Sequence, residues 1–227
     1  MNSLLRVSNL NKYYKQNDSK FHVLKDINLH INSGDFIMIL GKSGSGKTTL
    51  LNLLGLLDNF DEGRYCFNEL DMNELDEVGK AKIRNEYMGF IFQQFNLIES
   101  LNIGKNVELP LLYNKDNTSN KKREELVDEY LDMVDLLNKK DKYPSELSGG
   151  QQQRISIARA LINNPDVIFA DEPTGSLDSK TSVEIMNVLI KLNKKNKTIV
   201  MVTHDEDLKK YANRVIYVED GLLKKEI

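Results

Sequence analysis

Four short apolar runs rich in β-forming residues punctuate the chain: Phe36–Leu40, Phe90–Phe92, Val167–Ala170 and Thr198–Val202. Their hydrophobicity is continuous rather than alternating, the pattern of strands buried on both faces, as in a parallel sheet. Each run stops at polar residues with chemistry to offer. The first leads into Gly41-Lys42-Ser43-Gly44-Ser45-Gly46-Lys47-Thr48, the second into Gln93, the third into Asp171-Glu172 and the fourth into Thr203-His204. Open α/β sheets bind ligands beyond the carboxyl ends of their strands. The pattern therefore predicts one site assembled from four strand ends.

Elsewhere the periodicity changes. The first 35 residues and about 60–70 alternate like antiparallel strands, with Phe21, Val23, Leu24 and then Ile27, Leu29, Ile31 as the apolar positions. Between the second and third buried runs lie roughly 75 residues of helical character. Leu126, Tyr130, Met133, Val134 and Leu137 recur at three- and four-residue spacing, predicting an amphipathic helix within Lys121–Leu137. Gln152–Ile162 is a second helix, with Ile155, Ala158 and Ile162 on one face and Pro165 closing it. Residues of about 94–160 thus read as a mostly helical subdomain inserted into an α/β core of about 1–93 and 161–227. Tyr113–Asn120 reads as a polar loop.

Composition narrows the class. With 227 residues, 40% hydrophobic, 29% charged and 7% aromatic, the chain is neither disordered nor fibrous nor a disulfide scaffold. A net charge of −3 argues against a dedicated nucleic-acid surface. The single Cys66 suits a reducing cytoplasm. No run approaches the ~18–20 apolar residues that span a bilayer, and the polar start of the chain is unlike a signal peptide. A role at a membrane would need a span from another chain. Asn and Lys number 24 each, which breeds accidental motifs. Asn138-Lys139-Lys140-Asp141 resembles a guanine-recognition motif but follows a helix rather than a strand. The sequons at Asn117 and Asn196 have no meaning in a cytoplasm, and Lys194–Lys197 reads as a solvated helix end.

Gly41 to Thr48 matches the P-loop, G-x-x-x-x-G-K-[ST], after a predicted strand and before a helical run of Thr49, Leu50, Leu53 and Leu54. Glycines at 41, 44 and 46 let successive backbone N–H groups face one anion, and the helix end adds positive potential. Lys47 would place a charge on the β- and γ-phosphates and Thr48 a hydroxyl on Mg2+. Val167–Asp171 is an apolar strand ending in an acid, the Walker B pattern. Asp171 would hold Mg2+ and Glu172 would polarise the attacking water.

With these motifs, Leu147-Ser148-Gly149-Gly150-Gln151, Ala170–Asp178 and His204 make the chain resemble the ATP-binding subunit of an ABC transporter over essentially its whole length. Leu147–Arg154, Phe92–Ile98 and Asn106–Leu111 resemble the macrolide-export, lipoprotein-release and antimicrobial-peptide-resistance subclass. The resemblance implies a P-loop NTPase α/β core with a mainly parallel sheet, an N-terminal antiparallel β subdomain and an inserted helical subdomain. It implies Tyr14 as the aromatic that stacks on adenine and Gly41, Lys42, Ser43, Gly44, Ser45, Gly46, Lys47, Thr48 and Thr49 as the phosphate loop. Gln93 would touch Mg2+ and the attacking water. Ser148, Gly149, Gly150 and Gln151 would cap the γ-phosphate of a twin subunit, with Asp178 crossing to the same site, and His204 would contact the γ-phosphate.

Ser148-Gly149-Gly150 opens a predicted helix, so its N–H groups favour an anion. One chain already offers a phosphate loop, so a second anion-binding helix end points to a two-fold homodimer around two ATP. The expected function is ATP hydrolysis powering a separate integral membrane permease, with the chain at the inner face of the cell membrane. Export or extraction of a peptide, lipoprotein or drug-like amphiphile follows from the subclass. A cell-division type of mechanical ATPase is the alternative. A DNA-linked ATPase would need a long coiled coil between P-loop and signature, and no sustained heptads occur there. Leu97, Ile98, Leu101, Ile103, Val107, Leu109, Leu111 and Leu112 exceed one helix face, so part of Asn96–Leu112 is expected to dock the permease.

Overall fold

The computed structural model describes residues 3–16, 19–114 and 119–226. In chain order the elements are β1 (Ser3–Gln16), β2 (Ser19–Asn32), β3 (Phe36–Leu40), α1 (Lys47–Leu54), β4 (Glu62–Phe67), β5 (Leu70–Asp71), α2 (Glu77–Tyr87), β6 (Met88–Ile91), α3 (Ile103–Glu108), α4 (Asn120–Met133), α5 (Gly149–Leu161), β7 (Val167–Asp171), α6 (Ser179–Lys194), β8 (Thr198–Thr203), β9 (Arg214–Glu219) and β10 (Leu222–Glu226). Asn117 and Thr118 of the first sequon and half of the predicted loop lie in 115–118, outside the described residues. The chain divides into two compact units, Met1–Ala81 with Leu192–Ile227, and Lys82–Lys191.

The first unit holds an antiparallel sheet ordered β2-β1-β4-β5 and a run of strands ordered β10-β9-β3-β8. β3 lies parallel to both β8 and β9. Every residue of β3 and of β8 is buried, which is why both read as unbroken apolar runs. Parallel register sets Leu40 beside Thr203, so Gly41 and His204 leave neighbouring strands at the same end. α1 packs on β8 through Leu50, Leu51, Leu53 and Leu54. Tyr65 of β4 is fully buried and donates its hydroxyl to the Leu54 carbonyl at the end of α1.

The second unit joins a parallel β6–β7 pair to a helical cluster. Ile103, Val107, Leu111, Val127, Leu131, Leu147, Ile155, Ala158 and Ile162 form its core, with contributions from α3, α4 and α5. Burying such a side chain contributes about 1.5–3 kcal/mol. α4 stops at Met133, short of the predicted Leu137, which lies in a separate 3-10 turn. Three of the segment's apolar residues, Ile103, Val107 and Leu111, are core, whereas Ile98 and Leu112 are exposed.

α5 lies against β6. A Cβ on Gly89 would sit 2.5 Å from the Ala160 carbonyl and 3.1 Å from Pro165 Cγ, so β6 and α5 meet at backbone contact. Gly89→Ala should therefore cost about 1–3 kcal/mol by overpacking, a fall in Tm of roughly 2–10 °C. Thermal unfolding reads this directly, and an unchanged Tm would contradict the close approach.

Candidate functional site

The glycine-rich segment bridges β3 and α1. Gly41 has to be glycine because a Cβ there would lie 2.2 Å from the Val218 carbonyl of β9. Gly46, at φ +104, is the residue before α1 and offers no side-chain cap. With glycine at the cap position, no cap side chain closes this helix end, whose partial positive charge favours an anion.

Lys47 is only 8% exposed. Its ammonium donates to the Gly41 carbonyl at 2.8 Å and the Lys42 carbonyl at 2.9 Å. No carboxylate pairs with it among the described residues. An ammonium has three N–H donors, so one remains for a ligand. Buried charge is costly without a counter-ion, and here an incoming anion would supply it. Beside it the Ser45 hydroxyl is buried with no hydrogen-bond partner. The two groups fit a multiply charged phosphate chain.

Tyr14, on β1, is 41% exposed. Its hydroxyl donates to Asp58 Oδ2 at 2.5 Å. The Lys12 ammonium lies 4.8 Å from its ring centroid. The neighbouring Tyr13 stacks instead on His22 at 4.2 Å, which leaves Tyr14 as the available ring. His204 is exposed just beyond β8.

In the second unit, α5 begins at Gly149 rather than at Gln152, so Gly149 and Gly150 belong to its first turn. Ser148 caps it: Gln151 N donates to Ser148 Oγ, and Ser148 N donates to Gln151 Oε1. A Cβ on Gly150 would strike Thr181 Cγ2 at 2.4 Å. Thr181 in turn donates to Asp178 Oδ2 at 2.6 Å, and this bond, with the Thr181 and Lys180 backbone N–H groups, holds the Asp178 carboxyl below its usual pKa. Asp178 thereby caps α6 and seats it against the Ser-Gly-Gly turn.

Asp171 ends β7, and Glu172 follows at φ +45, a left-handed conformation uncommon outside glycine. The fully buried Gln153 of α5 donates to the Pro173 carbonyl at 2.7 Å and accepts from Ser156 Oγ at 3.1 Å, which fixes the turn just after Glu172. Gln93 is exposed, with its backbone carbonyl accepting from Ser176 Oγ at 3.3 Å. Phe95 and Asn96 both have positive φ, +60 and +49. Arg159 of α5 donates to both their carbonyls, and burial lowers the pKa of its guanidinium.

Sequence reading singled out neither Lys12 and Asp58 nor Gln153, Arg159 and Thr181. Lys12 and Tyr14 sit two apart on one strand and hence on one face, a spacing that could have flagged the pair. The others act through tertiary contacts that no local pattern announces.

A family model described as ABC transporter matches residues 24–175. The macrolide export ATP-binding/permease protein MacB of Bdellovibrio bacteriovorus is 47% identical over 98% of this chain and 34% of its own length. The chain spans about a third of the length of such macrolide-export relatives. The uncharacterized ABC transporter ATP-binding protein MJ0796 of Methanocaldococcus jannaschii is 45% identical over 98% of the chain and 96% of its own length. A structure of that cassette, described as a dimeric post-hydrolysis state bound to ADP and Pi, superposes with a TM-score of 0.91 at 44% identity, covering 98% of this chain and 97% of that one.

Two consecutive left-handed residues store about 1–3 kcal/mol each, and the Arg159 guanidinium holds Phe95 and Asn96 there together with the turn bonds from Phe95 N to the Phe92 carbonyl and from Asn96 N to the Gln94 carbonyl. Arg159→Ala should free the segment, and amide hydrogen exchange between Phe92 and Ile98 should accelerate at least tenfold. Unchanged exchange would mean that the strain is held by other contacts.

Proposed function

The chain belongs to the ABC transporter family and is an ATP-hydrolysing nucleotide-binding cassette, and from that premise we propose that it works as a homodimer closing on two ATP to drive a separate membrane permease. The observation that carries this reading is the buried Lys47 ammonium, which no carboxylate among the described residues pairs, beside the orphaned Ser45 hydroxyl at a helix start whose cap position is a glycine. That combination is incomplete without a polyanion.

In this reading Gly41–Thr49 wraps the β- and γ-phosphates, and Tyr14 stacks on the base. Thr48, Asp171 and Gln93 offer hydroxyl, carboxylate and amide oxygens, the hard donors that suit Mg2+ with its retained waters. Bound with the phosphates, the ion would offset charge on the β- and γ-oxygens. Glu172 accepts hydrogen bonding from the attacking water and orients it, and His204 donates toward the γ-phosphate. Ser148, with the N–H groups of Gly149 and Gly150, caps the γ-phosphate held by the twin subunit, and Asp178 reaches the same site. Each nucleotide is then gripped by two copies in an isologous interface, so ATP shifts the population toward the closed dimer and hydrolysis reopens it.

Dimeric structures of the MJ0796 cassette and the MacB relatives that carry a permease in one chain support the dimer and the membrane partner. Among the described residues no helix is long and apolar enough to cross a membrane, so the permease would anchor the cassette at the inner face of the cell membrane. The exposed Ile98 and Leu112 offer it a docking edge. The macrolide-export relatives favour an amphiphilic exported cargo. Copurification from native membranes tests this: a large permease with an extracellular domain supports export, and a small division-site protein would replace it with a mechanical role.

Glu172→Gln should cut ATP turnover by at least about 100-fold while leaving ATP binding intact, and the variant should run as a dimer with ATP and as a monomer without it. Size-exclusion chromatography with a phosphate-release assay reads both. A variant that turns over normally and stays monomeric would remove Glu172 from its role.

A further inference from the structure

The surroundings of Tyr14 are built with more care than a stacking ring on an exposed strand requires. Lys12, two residues earlier on β1, is only 7% exposed. Its ammonium donates to Asp58 Oδ1 at 2.7 Å and to the Asn59 carbonyl. The other Asp58 oxygen accepts the Tyr14 hydroxyl proton, and Asn59 Oδ1 accepts from Lys80 Nζ at 3.0 Å. Asp58 follows α1 by four residues. Its carboxylate thus ties the phenol to the segment that directly continues the helix after the glycine-rich turn.

We propose that Lys12 and Asp58 are positioning residues that lock the Tyr14 ring in one orientation relative to α1, so that the base is stacked at a set distance from the phosphates; this rests on Tyr14 being the base platform. A tyrosine on a strand surface can rotate about χ1 and χ2. Anchoring its hydroxyl removes most of that freedom before the ligand arrives, and preorganisation of this kind improves affinity by removing an ordering cost. Lys12 lies over the ring at 4.8 Å from its centroid, and the ring remains 41% exposed for a flat π-system to stack on. The charges favour the clamp at neutral pH. Burial works to raise the Asp58 carboxyl, but hydrogen bonds from Lys12 and Tyr14 outweigh it and leave its pKa lowered. Burial, and then the bond to Asp58, raise the Tyr14 phenol, so it stays a donor.

The clamp acts on the base and not on the phosphates, so base-containing and base-free ligands separate its role from a structural one. The experiment measures dissociation constants of ATP and of inorganic tripolyphosphate by calorimetry for the full chain and for Tyr14→Phe, Asp58→Asn, Tyr14→Ala and the Asp58→Asn/Tyr14→Ala double variant. Tyr14→Phe and Asp58→Asn should each weaken ATP about three- to tenfold, a part of what a base–aromatic stack contributes, with tripolyphosphate unchanged. In the Tyr14→Ala background, Asp58→Asn should have no further effect on ATP. Equal weakening of both ligands, or a full Asp58→Asn effect without the Tyr14 ring, would overturn the proposal in favour of a plain structural ion pair. Tyr14→Phe keeps the ring and removes the hydroxyl, so it decides the matter even if Asp58→Asn fails to fold. If Tyr14→Ala itself leaves ATP affinity unchanged, the platform reading falls and the clamp with it. If Tyr14→Ala weakens ATP while Tyr14→Phe and Asp58→Asn do not, the clamp alone falls.

Discussion

The glycine-rich segment between β3 and α1 is organised around a positive charge that no carboxylate among the described residues neutralises. Lys47 is buried, and its ammonium donates to two backbone carbonyls. Desolvating an ammonium without a counter-ion is unfavourable, so the surrounding structure has to hold it there. The tight approach of Gly41 to β9, the fully buried β3, and the apolar face of α1 on β8 supply that support. The Ser45 carbonyl accepts from Gly221 N, and the Gly221 carbonyl accepts from Lys25 N, which carries the scaffold onward into β2. A rigid frame of this kind keeps the donors preorganised for charge that arrives with the ligand.

In the second unit one helix carries most of the organisation. α5 presents its capped N-terminus at Ser148, reaches the turn after Glu172 through Gln153, and reaches Phe95 and Asn96 through Arg159. Its first turn also packs on Thr181, whose hydroxyl binds Asp178. A displacement of α5 would therefore be felt by the Gln93 segment, the Glu172 turn and the Asp178 loop together. The backbone contact at Gly89 ties the same helix to β6, so its position is set by packing as well as by hydrogen bonds.

The sequence exposes the parts of the fold where chemistry and burial are continuous. β3, β7 and β8 read correctly because strands buried on both faces carry unbroken apolar runs, and the glycine at 41 answers to the backbone approach of Val218. α2 has a single buried residue, Ile83, and hence no apolar stripe to find. β9 and β10 mix charged and apolar residues, including Arg214, Glu219 and Lys224, and their pairing is visible only once β3 is in place. α6 carries a clear repeat at Ile185, Met186, Leu189 and Leu192 after the Asp178 cap, a helical signal that the sequence itself contains. The start of α5 was misplaced by three residues because two glycines argue against a helix in isolation, whereas the Ser148–Gln151 capping box and the packing of Gly150 on Thr181 override that preference. Site residues that act through a neighbour across the fold, such as Gln153 and Thr181, are legible only in three dimensions.

Glu172 occupies a left-handed backbone position that glycine or asparagine would fill more comfortably. The Gln153–Pro173 bond fixes the backbone just beyond it. With Glu172 as the acid of the proposed reaction, heat tolerance and turnover pull in opposite directions at this one residue. A population of variants selected only for surviving high temperature would drift toward losing the acid, and a robust-looking cassette from such a screen would be an idle one.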